Sequence, residues 1–184
     1  MKFIPQSIPD VVLIKPTIHG DDRGYFIETF RQGLFEEAIG YKVNFVQDNE
    51  SKSLKGVLRG LHFQLPPYTQ AKLVRVIEGN VLDVAVDIRK SSPTFGQHVS
   101  LELTAQSKDQ LFIPHGFAHG FVVLSDSATF SYKVNKYYSP EYDRGIAFDD
   151  ERLKIDWQLS AEELRLSDKD KTHPSLANAK DLFE

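Results

Sequence analysis

The amino-acid sequence predicts a mainly β fold, a sandwich or jelly-roll barrel with a few short helices. Three observations carry this. From about Val43 to Val134 the chain is a succession of short β-branched and aromatic runs broken by turn residues. About nine or ten such runs fit into the chain, the number expected of a closed or double-layered β architecture. Helical periodicity is confined to two brief places, whereas a doubly wound sheet needs a long helix between successive strands. With no internal repeat, charged tail or Ser/Gly linker, residues 1–184 read as one domain.

The elements follow in chain order. Gly24 to Phe30 reads as a strand; Leu34, Phe35, Ala38 and Ile39 then recur at helical spacing and stop at Gly40, which suits a C-cap. Strands follow at Val43 to Asn49, Gly56 to Gln64 and Lys72 to Glu78, and Gly79-Asn80 reads as a tight hairpin turn. The clearest strand comes next: Leu82, Val84, Val86 and Ile88 share one face, and Asp83, Ala85 and Asp87 the other. Four more are expected at His98 to Leu103, Gln110 to Ile113, Phe121 to Leu124 and Ala128 to Val134. Ser160 with Glu163 forms a capping-box pattern that should open a short helix.

Composition narrows the function. The chain has 184 residues, 41% of them hydrophobic and 26% charged, an ordinary globular balance. It has no cysteine, so a disulfide framework, a thiolate metal site and a thiol nucleophile are all excluded. A net charge of -4 without a Lys/Arg run argues against nucleic acid or an anionic membrane as partner. The opening MKFIPQSIPDVV lacks the apolar stretch of a signal peptide, and no run approaches the length of a membrane span. A cytoplasmic protein is expected.

A β barrel has a lumen, lined by every second residue of its strands. His62 stands in a predicted strand, on the face shared by Leu58, Gly60 and Gln64, and glycine at 60 leaves space beside the imidazole. Lys72, Asp83, His119 and Tyr132 lie in neighbouring strands or at their ends, so one lumen gathers a cluster of titratable groups. A metal site is disfavoured: Gln64 and Lys72 stand where further ligands would be needed, and an ammonium repels a divalent cation. With neither thiol nor cofactor motif, the set suits general acid/base chemistry next to a carbonyl. An imidazole oriented by a carboxylate removes the proton, a lysine ammonium stabilises the enolate, and a tyrosine on the other side returns a proton and inverts the carbon.

Arg23 and Arg59 are candidate diphosphate forks, or alternatively surface ion pairs, with Asp21 and Asp22 beside Arg23. Strict alternation sends Arg59 to the face opposite His62, so a shared pocket requires a bulge. Tyr137-Tyr138 offers either a flat ring for a nucleobase or mere packing.

Five blocks, FVQDNESKS, GVLRGLHFQ, KLVRVIEGNVLDVAVDIRKSSPTFG, IPHGFAHGF and LSDKD, together resemble the dTDP-4-dehydrorhamnose 3,5-epimerases from about Asp21 to Asp170. The resemblance implies a cupin-type jelly roll that works without metal or other cofactor, usually as a homodimer. It implies a dTDP-4-keto-6-deoxy sugar as substrate, inverted at C3 and C5 for dTDP-rhamnose synthesis. By motif, His62 resembles the base, Asp170 its carboxylate partner, Tyr132 the acid and Lys72 the residue facing the C4 oxygen. The family's binding positions fall on Arg23, Glu28, Gln47, Asp48, Asn49, Arg59, His119, Asp143 and Lys169, with Tyr138 stacking on thymine. The strand carrying Arg23 and Glu28 would cross to a partner subunit and complete its site. Asp143 precedes Arg-Gly-Ile where the family commonly has Glu-Gly-Gly-Ile. Three alternatives stay open: related enzymes that invert only C3 or isomerise the ketone, a non-catalytic cupin that binds a sugar nucleotide, and a metal-dependent cupin oxygenase.

Overall fold

Period-two alternation, sustained over most of the chain, folds it into two facing sheets. The computed structural model describes residues 1–184. Its elements are β1 (Lys2–Pro5), β2 (Val12–Lys15), β3 (Ile18–Asp21), β4 (Gly24–Ile27), α1 (Gln32–Ile39), β5 (Gln47–Leu54), β6 (Leu58–Gln64), β7 (Lys72–Glu78), β8 (Asn80–Asp87), β9 (His98–Thr104), β10 (Gln110–Ile113), β11 (Phe117–Val123), β12 (Ser127–Val134) and β13 (Asp143–Gly145). A six-stranded sheet runs β1-β2-β10-β7-β12-β5 and a five-stranded one β13-β6-β11-β8-β9, while β3 and β4 form a separate ribbon. Neighbouring strands pair antiparallel throughout. The result is the expected mainly β jelly roll.

Three apolar layers follow from the alternation. Between the sheets lie Val74, Val76 and Phe130 from one side and Val81, Ala85, Phe117, Phe121 and Val123 from the other. The outer face of the five-stranded sheet presents Leu82, Val84, Val86 and Ile88 to Ile146, Leu153, Trp157 and Leu176 of the C-terminal segment. That segment has almost no regular structure, so burial of side chains such as Leu153 and Trp157, about 2 kcal/mol each, is what docks it. On the far side, α1 sets Phe35 against Val12, Ile14, Leu73 and Phe112.

The helix ends as its sequence indicates: Gly40 takes φ 82° and its N–H donates to the Glu36 carbonyl. Other expectations need correction. Gly79-Asn80 is not a hairpin turn, because β7 and β8 belong to different sheets and the turn carries the chain across the barrel. Glycine is needed there for its φ of 77° and because a Cβ would lie 2.1 Å from the Ser127 carbonyl oxygen. Only half of the Ser160–Glu163 box forms: the N–H and the hydroxyl of Ser160 both donate to Glu163 Oε2, the Glu163 N–H goes to the Ser160 carbonyl, and a turn follows with no helix. A half-formed cap cannot offset helix nucleation where the next residues are bound by tertiary contacts. β5 starts at Gln47 rather than Val43, since Val43 is taken by α1 through Gln32 and Glu36. The short strands β1 to β3 carry too few alternating residues to be read from sequence.

Candidate active site

A backbone irregularity sets up the site. β6 and β11 pair His62 with His119 but Arg59 with Phe121, so three steps along β6 span two along β11. This bulge moves Arg59 and His62 to the same side, and both line one cavity of about 540 Å³ at the end of the lumen. The empty space expected beside Gly60 does not exist. A Cβ on Gly60 would meet the Gly120 Cα at 2.4 Å, and φ is 138°, so two glycines let the strands touch. Gly60→Ala is expected to destabilise the fold by about 3 kcal/mol or more, measured by denaturant unfolding, while Gly33→Ala, with open space around it, changes little.

His62 meets Asp170 across the sheet edge, Nε2 to Oδ1 at 2.5 Å. Asp170 is buried by the C-terminal segment, and its Oδ2 accepts the Ser167 hydroxyl at 2.8 Å. Burial pushes the carboxyl pKa up, but the imidazoles of His173 and His62 and the Ser167 hydroxyl outweigh it and hold the group well below the usual range. An ionised carboxylate only accepts, so His62 Nε2 donates and Nδ1 is left as the free base.

A second pair stands beside the first. His119 Nε2 lies 3.1 and 2.9 Å from the two oxygens of Asp83, which is fully buried on β8. Burial lowers the His119 pKa against the opposing pull of Asp83, so this imidazole stays neutral. Lys72, at the start of β7, lines the same cavity; burial lowers its pKa to about 8, with Asp83 and Asp143 opposing. Tyr132 on β12 completes the lining, half-buried, its phenol pKa pushed up by burial. The floor is a stacked pair, Phe121 and Phe130, with ring centroids 4.1 Å apart. A base, a cation, a neutral imidazole and a protonated phenol therefore surround one concavity, a set suited to proton transfer at carbon beside a carbonyl.

The family model described as dTDP-4-dehydrorhamnose 3,5-epimerase matches residues 5–178. The chain belongs to this family. It is 58% identical over 170 residues to a dTDP-4-dehydrorhamnose 3,5-epimerase of Shigella flexneri, covering 92% of this chain and 93% of that one. Against the enzyme of that name from Pseudomonas aeruginosa the identity is 53%, with 97% and 98% covered. Its fold is similar to a crystal structure of dTDP-6-deoxy-D-glucose-3,5-epimerase from Legionella pneumophila in complex with dTDP-4-keto-L-rhamnose, with a TM-score of 0.94, 49% identity and 97% and 94% of the two chains covered.

The positions that the dTDP-4-dehydrorhamnose 3,5-epimerase resemblance marks fall in four places. Arg59, His62, Lys72, His119, Tyr132, Lys169 and Asp170 line the cavity. On the edge strand β5, Asn49 lies opposite Tyr132, and Gln47 donates to Asn49, so both look the same way. Asp48 is on the other face, paired with Lys133. Tyr138 is exposed rather than packed, and donates to Asp143, which also binds Lys169. Arg23 and Glu28 are outside the cavity. They sit on and just beyond the β3–β4 ribbon, paired with Asp21 and Arg31, where Ile18, Tyr25 and Phe26 are exposed.

Sequence reading missed Ser51, Arg165 and Ser167 of the lining, and His173 behind it. Ser167 carried a signal, the Ser-x-x-Asp spacing that lets a hydroxyl and a carboxylate bond locally. Arg165 carried none, since only its bridge to Val57 brings it to the cavity. As for metals, ligand atoms of His62, Asp170 and His173 lie within 4.8 Å of one another. The His62 nitrogen of that group, however, already carries the proton shared with Asp170. That donor set is therefore engaged, and a metal fits it poorly.

Proposed function

We propose that the protein epimerises dTDP-4-dehydro-6-deoxy-D-glucose at C3 and C5, giving dTDP-4-dehydro-L-rhamnose for dTDP-rhamnose synthesis, without metal or other cofactor. The observation that carries this reading is the convergence of the His62–Asp170 pair, Lys72 and Tyr132 on one cavity. Both substrate carbons flank the C4 ketone, so each is acidified by the same carbonyl. His62 Nδ1 takes the proton and Asp170 stabilises the imidazolium that forms. The Lys72 ammonium faces the C4 oxygen and holds the enolate as its charge develops. Tyr132 returns a proton from the opposite face, which inverts the carbon. Arg59, Arg165 and Lys169 at the cavity provide cations suited to the diphosphate, and exposed Tyr138 offers its ring to thymine. The test is product analysis by NMR after incubation with the 4-keto sugar nucleotide in heavy water: deuterium at both C3 and C5 of an L-rhamno product is expected. Exchange at neither carbon would leave a binding protein.

Lys72 gives the pH dependence a sign. Its cationic form is the useful one and its pKa lies near 8, so kcat/KM should fall as pH rises through about 8. In Lys72→Arg, whatever activity remains should keep its level through that range, because guanidinium does not deprotonate there.

The chain acts as a homodimer in this reading, with the β3–β4 ribbon delivering Arg23 and Glu28 to the partner's cavity. Their distance from the chain's own cavity and the exposed Ile18, Tyr25 and Phe26 support it. Arg23→Ala and His62→Ala chains, each nearly inactive, should recover about a quarter of wild-type activity when co-expressed, as statistical pairing of subunits requires. No recovery in verified mixed dimers would refute the exchange.

A further inference from the structure

We infer that His173 is a positioning residue for the Asp170 carboxylate, clamping the His62–Asp170 pair from the side away from the substrate. The inference rests on the reading of His62 as the base. His173 follows the single turn at Asp170–Thr172, and its side chain is 9% exposed. The chain is pinned on both sides of it: Thr172 N–H and Oγ1 both donate to the Lys169 carbonyl, and Ala147 N–H donates to the Pro174 carbonyl. The ring therefore has little freedom.

Three features single it out. Its Nε2 is buried and has no hydrogen-bond partner, a condition native structures keep rare because it is costly. That atom lies 3.6 Å from Asp170 Oδ1, the same oxygen that holds His62. The imidazole also stands edge-on to His62, with ring centroids 5.5 Å apart at 80°. Beneath it lies Gly145, the residue of β13 that pairs with His62. A Cβ there would come within 2.4 to 2.5 Å of three His173 ring atoms. The Gly145 backbone is not in the left-handed region, so glycine at this position serves the ring and not the strand.

The chemistry explains the arrangement. Ser167 fixes Oδ2 and His62 holds Oδ1, but with His62 as its only partner on Oδ1 the carboxylate could still turn together with that imidazole. With His173 beside Oδ1, that turn is blocked. When His62 becomes an imidazolium the carboxylate is drawn toward it, and the polar edge of His173, 3.6 Å from Oδ1, favours the ionised form from the other side. The clamp leaves a buried ring nitrogen unpaired, and its return is a carboxylate kept ionised and in place.

The test is steady-state kinetics of the full chain on the 4-keto sugar nucleotide. His173→Phe fills the slot without an N–H and should lower kcat by about 10- to 100-fold with KM within about twofold. His173→Gln, whose amide nitrogen reaches the Nε2 position, should restore most of the loss. In a His62→Ala background His173→Phe should add no further loss, since both act through one step. Wild-type kcat in His173→Phe would overturn the inference, as would equal losses in the Phe and Gln variants accompanied by a lowered Tm. Full activity in His62→Ala would instead remove the base assignment beneath it.

Discussion

His62→Ala is expected to abolish solvent deuterium exchange at both C3 and C5 while leaving dTDP affinity within a few fold. The imidazole is backed by a carboxylate held ionised, Asp170, whose other oxygen accepts from Ser167. General-base catalysis by a positioned side chain is worth up to about 10,000-fold, so a fall in kcat/KM of at least about 1,000-fold, near 4 kcal/mol of barrier, is the expected size. The dTDP part would still meet Arg59, Arg165 and Lys169, which explains why binding should survive. Equal exchange in variant and wild type, read by NMR in heavy water, would take His62 out of the mechanism.

Tyr132→Phe separates the two halves of the reaction. Its strand β12 is hydrogen-bonded between β5 and β7, and the side chain loses only an oxygen in the variant. Burial raises the phenol pKa, so at neutral pH the native group carries the proton that the proposed acid must give. Without it, His62 should still wash deuterium into the substrate, within about tenfold of the wild-type rate, while L-rhamno product falls by about 100-fold or more. Deuterated starting material without inversion is the diagnostic outcome. Normal product formation would contradict the assignment.

The parts of the molecule that were legible in sequence are those whose information is local. Along Val81 to Ile88 alternation assigns every side chain to its layer, and the layers occupied by Leu82, Val84, Val86 and Ile88 and by Val81 and Ala85 agree with it. The grouping of Lys72, Asp83, His119 and Tyr132 around His62 followed from the same rule. What was not legible depends on contacts between distant segments. Whether Arg59 joins His62 turned on a bulge created where Gly60 touches Gly120, and nothing near Arg59 announces that approach. The turn at Gly79 has the residues of a hairpin, but its partners are chosen by which sheet each strand completes. Arg165 and His173 belong to a segment without periodicity, so only docking on the five-stranded sheet brings them to the cavity. Asp170 was found through its motif and not through any pattern of fold.

The coil that seals the outer face of the five-stranded sheet also carries Asp170, the partner of the proposed base. Trp157, whose indole N–H donates to the Phe148 carbonyl, and Leu176 sit on either side of Asp170 in the chain. Assembly of the tail and arming of the imidazole are thus one event. A polypeptide that had closed its barrel but not yet laid down this strap would hold a finished vessel and no working base, so catalysis itself reports that folding has run to completion.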